Sequence, residues 1–211
     1  MKYLDDKLQP EPYYADKFKY IGDINVEDGI IDITDPCYAS DTWCARFGHK
    51  VKPGTYKCFI DVVNFPSKAI CEESDHFLFA TTKYKAGDLI ETDDFRIMKL
   101  TIVHSDVEGK MLNKELMSSS AFKLIDSNIG VDAGLCGFYN HKPDFSDDEW
   151  DNFWQSLDRD RNYTCDCKHG NGVTVSSGFG DGCYSLLEAK NENGEVIALS
   201  LDFNYTDEFE E

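Results

Sequence analysis

Three glycines stand at alternate positions in Ser176-Ser177-Gly178-Phe179-Gly180-Asp181-Gly182-Cys183-Tyr184, a stretch where the backbone must turn tightly or pass close to another segment. Its flanks decide what fold can hold it. Val173 and Val175 start a strand that runs into the glycines. Tyr184–Ala189 and Val196–Phe203 read as a hairpin around Asn191-Glu192-Asn193-Gly194, with Asn193-Gly194 expected to supply the positive backbone angles. A strand, a glycine turn and a hairpin in succession belong to a sheet protein.

The rest of the chain repeats that grammar. Ile24–Ile33 reads as two strands around Asp28-Gly29, ending where Pro36 stops ladder pairing. After the turn at Pro53-Gly54, Tyr56, Cys58, Ile60 and Val62 alternate with Lys57, Phe59 and Asp61. Met98, Leu100 and Ile102 alternate in the same way, and Phe77–Ala80 and Ile129–Val131 are further strands. Residues 39–50 read as a loop or short helix holding Trp43, Thr81–Asp94 as a loop, and 158–172 as a polar segment. Tyr38 and Trp43 are expected in the core. A short helix is expected near Leu112–Met117. The clearest helix follows Ser146-Asp147-Asp148-Glu149, which fits a capping box with acidic residues in the first turn. Trp150, Phe153, Trp154 and Leu157 recur at helical spacing, so this helix, about 146–157, is expected to bury an aromatic face. The fold class is α+β: a mostly antiparallel sheet or sandwich with one capped, aromatic-faced helix and few other short helices. The 211 residues divide into an N-terminal arm over 1–20, one β-rich domain over 21–205 and an acidic tail over 206–211.

Charge limits the partners. Forty acidic residues against 21 basic ones give a formal net charge of -19, a field that repels phosphate backbones and anionic lipid. Direct nucleic-acid and membrane binding are therefore not expected. Such a surface serves solubility alone or meets a basic partner. The first residues carry no apolar signal segment, and eight cysteines in such a chain read as reduced cytoplasmic thiols. Cys58, Cys136 and Cys183 are expected to be buried.

Candidate chemistry gathers on turns. Asp35, Asp132 and Asp181 form a carboxylate set suited to a hard divalent cation or to acid–base work; equally, each suits closing its own turn through backbone amides. The candidate ligand-binding set is Asp35, Tyr38, Asp132, Gly134, Ser177, Gly178, Gly180, Asp181 and Gly182. The glycine stretch can cradle an anion but has no P-loop lysine and is not a nucleophile elbow. Cys165, Cys167 and His169 offer three soft ligands for zinc, short of the usual four. No Cys–His pair is singled out for nucleophilic catalysis among Cys37, Cys136 or Cys183 and the five histidines. No cofactor motif is complete.

The order Gly29, Asp35-Pro36, Pro53-Gly54 with its strand, Val131-Asp132-Ala133-Gly134 with Gly137-Phe138, Ser177–Gly182 and Leu201-Asp202-Phe203 resembles the domain-of-unknown-function family 4241 over roughly residues 24–203. The resemblance implies a shared β-rich fold and no activity. The Asp-Pro-Cys-Tyr and Val-Asp-Ala-Gly phrases are similar to segments of small bacteriophage proteins, which implies a phage or mobile-element origin. The resulting expectation is an acidic binding or inhibitory protein that occludes a basic surface of a nucleic-acid-processing or defence enzyme. The alternative is a nucleotide-type ligand binder or metal-dependent hydrolase using Asp35, Asp132 and Asp181.

Overall fold

The alternation read at Tyr56–Val62 lies within a strand that runs from Gly54 to Asn64, and it buries both of its faces. In the computed structural model, which describes residues 1–72, 84–107, 121–161, 163–167 and 172–203, that strand is the fifth of fifteen. They are β1 (Lys2–Tyr3), β2 (Tyr13–Val26), β3 (Ile30–Thr34), β4 (Arg46–Lys50), β5 (Gly54–Asn64), β6 (Ser67–Ile70), β7 (Leu89–Thr92), β8 (Phe95–His104), β9 (Lys123–Val131), β10 (Leu135–Tyr139), β11 (Arg159–Asp160), β12 (Tyr163–Asp166), β13 (Gly172–Ser176), β14 (Gly182–Lys190) and β15 (Val196–Asp202). The single α-helix described, α1, spans Asp147–Ser156. The expected strand at Phe77–Ala80, the helix near Leu112–Met117 and the acidic tail lie outside the described residues.

All pairings are antiparallel. One six-stranded sheet has the order β2-β5-β8-β15-β14-β9 and the other β11-β12-β13-β10-β3-β4, while β1, β6 and β7 form a small third sheet. Ile31, Ile33, Phe138, Val173 and Val175 of the second sheet share one buried cluster with Tyr56, Ile60, Leu100, Ile102, Leu199 and Leu201 of the first. This is sheet-on-sheet packing, a β-sandwich. The chain crosses between the two sheets at β2–β3, β4–β5, β9–β10 and β13–β14. The last two crossings are the Val131–Gly134 turn and the glycine stretch.

Several local expectations need correcting. Residues 13–20 are not a separate arm: they belong to β2, whose pairing with β5 runs from Tyr13 to Val26. Charged residues such as Asp16, Lys17 and Lys19 suit an edge strand half open to water. Edge position also explains β4 and β7, which lie in segments read as loops; each pairs on one side only. β12 lies within a polar segment, and its polar groups are satisfied: the Asp166 carboxylate accepts from the Asp158 amide at 2.9 Å and the Thr164 amide donates to Ser176 Oγ at 2.8 Å. In the β14–β15 turn only Gly194 has positive φ, +81°. Asn191 does the rest, its Oδ1 accepting from the amides of Asn193 and Glu195.

The helix differs most. Glu149 caps it as expected, its Oε2 accepting from the Ser146 amide at 2.9 Å and the Ser146 hydroxyl at 2.7 Å. Yet no residue of α1 is buried. Its aromatic face packs on itself and on Phe145, and only Leu157, just past the last turn, enters the core. Trp43, expected inside, is 86% exposed, and Cys183 is exposed as well, while Cys58 and Cys136 are fully buried. No disulfide joins any of the eight cysteines.

Candidate functional site

Asp35 follows β3 at the point where Pro36 ends the ladder, and it is completely buried. Its carboxylate is consumed by backbone amides. Oδ1 accepts from Cys37 N at 2.8 Å, and Oδ2 accepts from Asp132 N at 2.8 Å and Ala133 N at 2.6 Å. One side chain thus closes its own turn and pins the β9–β10 crossing. The next residue of that crossing, Gly134, has φ +64°; its N–H donates to Asp181 Oδ1 at 3.1 Å and its carbonyl accepts from Ser177 N at 3.1 Å. The glycine stretch is then locked internally. Gly180 N donates to Ser177 O, Ser177 Oγ donates to Gly180 O at 2.9 Å, and the buried Tyr184 hydroxyl lies 2.9 Å and 2.7 Å from those two carbonyls. Gly178, at φ +53°, comes so near that a β-carbon would stand 2.9 Å from the Phe203 carbonyl oxygen.

The residues singled out from sequence therefore meet in one knot of three turns. Asp35, Asp132, Gly134, Ser177, Gly180 and Asp181 are linked by hydrogen bonds, and Gly178 and Gly182 lie in the same loop. Asp132 contributes its amide, whereas its carboxylate is exposed. Tyr38 stands apart, beside Cys44 at Gly130 of β9, where a β-carbon would collide with the Cys44 sulfur and stand 3.3 Å from the Tyr38 hydroxyl. Burial first, then contact with Cys44 and the negative charges of Asp35 and Asp132, raise its phenol pKa.

Two further buried groups near the knot were missed by sequence reasoning. Asp32 is buried and accepts from Gly48 N at 2.8 Å and Lys142 N at 2.9 Å. The Lys142 side chain is buried too; its Nζ donates to Pro143 O at 2.6 Å and faces Asp144 at 3.8 Å. Desolvation lowers its pKa, opposed by Asp144, Cys37, Asp32 and Asp35. Ile31 and Ile33 face the core and Asp32 alternates to the opposite face of β3, so period two gave no signal of its burial.

This arrangement is poor in reactivity. Cys37 is the knot's nucleophile candidate, yet partial burial, followed by its hydrogen bond to Asp35 and the charges of Asp35 and Asp132, pushes its thiol up to about 12. Cys37 is exposed by area, but a shift of that direction keeps its thiol protonated at neutral pH and so disfavours the reactive thiolate. Among the described residues no group of three or more His, Cys, Asp or Glu side chains is placed to hold a metal ion. Cys165 and Cys167 pack half-buried against the core, Cys167 on Gly22 and against the Cys58 thiol; His169 lies outside the described residues. A cleft of about 300 Å³ borders the glycine stretch, lined by Gly134, Ser177, Gly178, Gly180, Arg96 and Phe179. Arg96 is held there by Asp94, Nε to Oδ2 at 2.8 Å, with its guanidinium 4.5 Å from the Phe179 ring.

The matched turns span both sheets, and so does a family comparison: Protein of unknown function (DUF4241) matches residues 24–201. The chain belongs to this family. Its matched region begins inside β2 and ends in β15, so it takes in both six-stranded sheets and the knot between them. No curated protein and no solved structure matches the chain. Among the described residues no helix is long and apolar enough to cross a membrane.

Proposed function

We propose that this DUF4241 protein is a cytoplasmic, acidic binding protein that inhibits a nucleic-acid-processing or defence enzyme by covering its basic surface, in the setting of a phage or mobile element. The observation that carries the reading is the disposition of charge. The carboxylates of Asp35 and Asp181 are held by backbone amides in the knot, and Cys37 is silenced beside them. The scaffold absorbs these groups, whereas the acidic excess of the chain, -19 overall, supplies the carboxylates that in this reading take the place of a polyanion's phosphates. Such a surface steers a cationic partner and fails to attract nucleic acid. Eight thiols without a disulfide agree with a reducing compartment.

The test is capture from lysate at about 50 mM salt, followed by assay of the captured enzyme for nucleic-acid binding with and without the protein; electrostatic contacts are strongest at that ionic strength. The expected result is a partner whose nucleic acid and this protein displace one another. A partner whose nucleic-acid binding is unaffected overturns the reading.

A second reading, a small-ligand binder of nucleotide type, has the cleft beside the glycine stretch in its favour, with one guanidinium and one exposed aromatic ring at its wall. It predicts a rise in melting temperature with nucleotides at about 1 mM, as any ligand of the folded state gives. No shift removes it.

A further inference from the structure

An amphipathic helix ordinarily lays its apolar stripe on the core. α1 does not, for none of its residues is buried, and it makes no extensive contact with any strand. Its aromatic residues instead form a surface cluster. Phe145 stacks on Phe153 at 4.9 Å between ring centres, Trp150 lies 5.8 Å from Phe153 and 5.9 Å from Trp154, and Trp154 is 38% exposed. None of the chain's three tryptophans is buried; Trp43 lies in a loop tethered to this region by Ser40, whose amide and hydroxyl both donate to Asp144. Tryptophan gains more than most side chains from leaving water, and solvent-facing Trp surrounded by polar residues is typical of binding surfaces.

The rim is acidic. Asp144, Asp147, Asp148, Glu149, Asp151, Asp158 and Asp160 stand in the segment with Arg159; Lys19 pairs with Asp160 at 3.2 Å and Lys142 faces Asp144 at 3.8 Å, which leaves the carboxylates in excess. The rings already carry cations from the chain itself: the Arg159 guanidinium lies 5.4 Å from the Trp154 ring and Lys142 Nζ 5.2 Å from that of Phe145. Aromatic faces ringed by carboxylates suit arginine, which stacks and pairs at once. A second copy of the chain would bring acid against acid.

We propose that α1 with Phe145 is the docking element, and that its occupant is an arginine-rich face of a partner protein. This rests on the protein-binding reading above and locates its contact. The test uses the Trp43→Phe chain, in which Trp150 and Trp154 are the only tryptophans, excited selectively over tyrosine and titrated with a deca-arginine peptide at about 50 mM salt. The peptide is expected to shift tryptophan emission and to shield it from acrylamide. Asp147→Asn, Asp148→Asn and Asp151→Asn together are expected to weaken binding about tenfold, and Trp150→Ala with Trp154→Ala as much, read by calorimetry. Asp6→Asn, Glu11→Gln and Glu192→Gln remove the same charge from exposed sites elsewhere and are expected to cost less than about threefold. Circular dichroism checks that each variant is folded. Equal loss from both charge triples means that binding follows net charge: the docking element falls while the protein-binding reading stands. No binding of the peptide by the unaltered chain overturns the protein-binding reading itself. Concentration-dependent self-association lost in the tryptophan variant assigns the surface to a second copy and overturns the proposal.

Discussion

Asp35 shows how much one buried side chain can organise. Three backbone amides on two different turns point at its carboxylate, so an amide in its place keeps one acceptor and turns an NH₂ toward donors. Asp35→Asn is expected to cost about 3–5 kcal/mol in urea denaturation, the range for breaking a buried charged network. Asp181→Asn retains an acceptor oxygen for Gly134 at an exposed position and is expected to cost under about 1 kcal/mol. Equal costs at the two positions would contradict the account of the knot. Cys37 gives a second residue-scale outcome. With a pKa of about 12, its thiolate at pH 8 is on the order of one part in ten thousand, so iodoacetamide labelling is slow there and climbs with each pH unit up to about 12. Rapid alkylation of Cys37 near pH 8 in the folded protein would refute the shift.

At the scale of elements, α1 and the residue after it separate surface from core. Leu157 is buried, and Leu157→Ala is expected to cost about 2–4 kcal/mol. The two tryptophans of α1, Trp150 half-buried and Trp154 exposed, lie outside the core, so Trp150→Ala with Trp154→Ala is expected to cost less than Leu157→Ala in the same denaturation experiment. A larger loss would mean that the helix is part of the core after all. The same contrast shows what was legible in the chain. The central strands announced themselves, as at Tyr56–Val62 and Met98–Ile102, because apolar residues hold every second position, although both faces of each strand are largely buried. The edge strands β4 and β7 did not, since their open sides tolerate Arg, His, Glu and Thr. Helical spacing of aromatic residues in α1 was visible, but spacing states only that a face is apolar. Whether that face meets the core or a partner depends on tertiary placement. In the knot, Asp35, Gly134, Ser177 and Asp181 were found because each needs a special turn, while Lys142 beside it was missed because its burial comes from the fold around it rather than from its neighbours in sequence.

For the whole molecule the central idea is a division of labour among carboxylates. A few are spent inside, joining the two sheets where the chain crosses between them; the rest give the chain its net charge of -19, on a sandwich whose described residues assemble no metal cluster. An interface built on that field weakens steeply with ionic strength, because each screened ion pair lowers both encounter rate and affinity. The dependence of partner affinity on salt is the most direct measurement. Between about 50 and 300 mM salt the account predicts a fall of at least about tenfold in affinity for the proposed basic partner, carried largely by the association rate. An affinity unchanged over that range would contradict it.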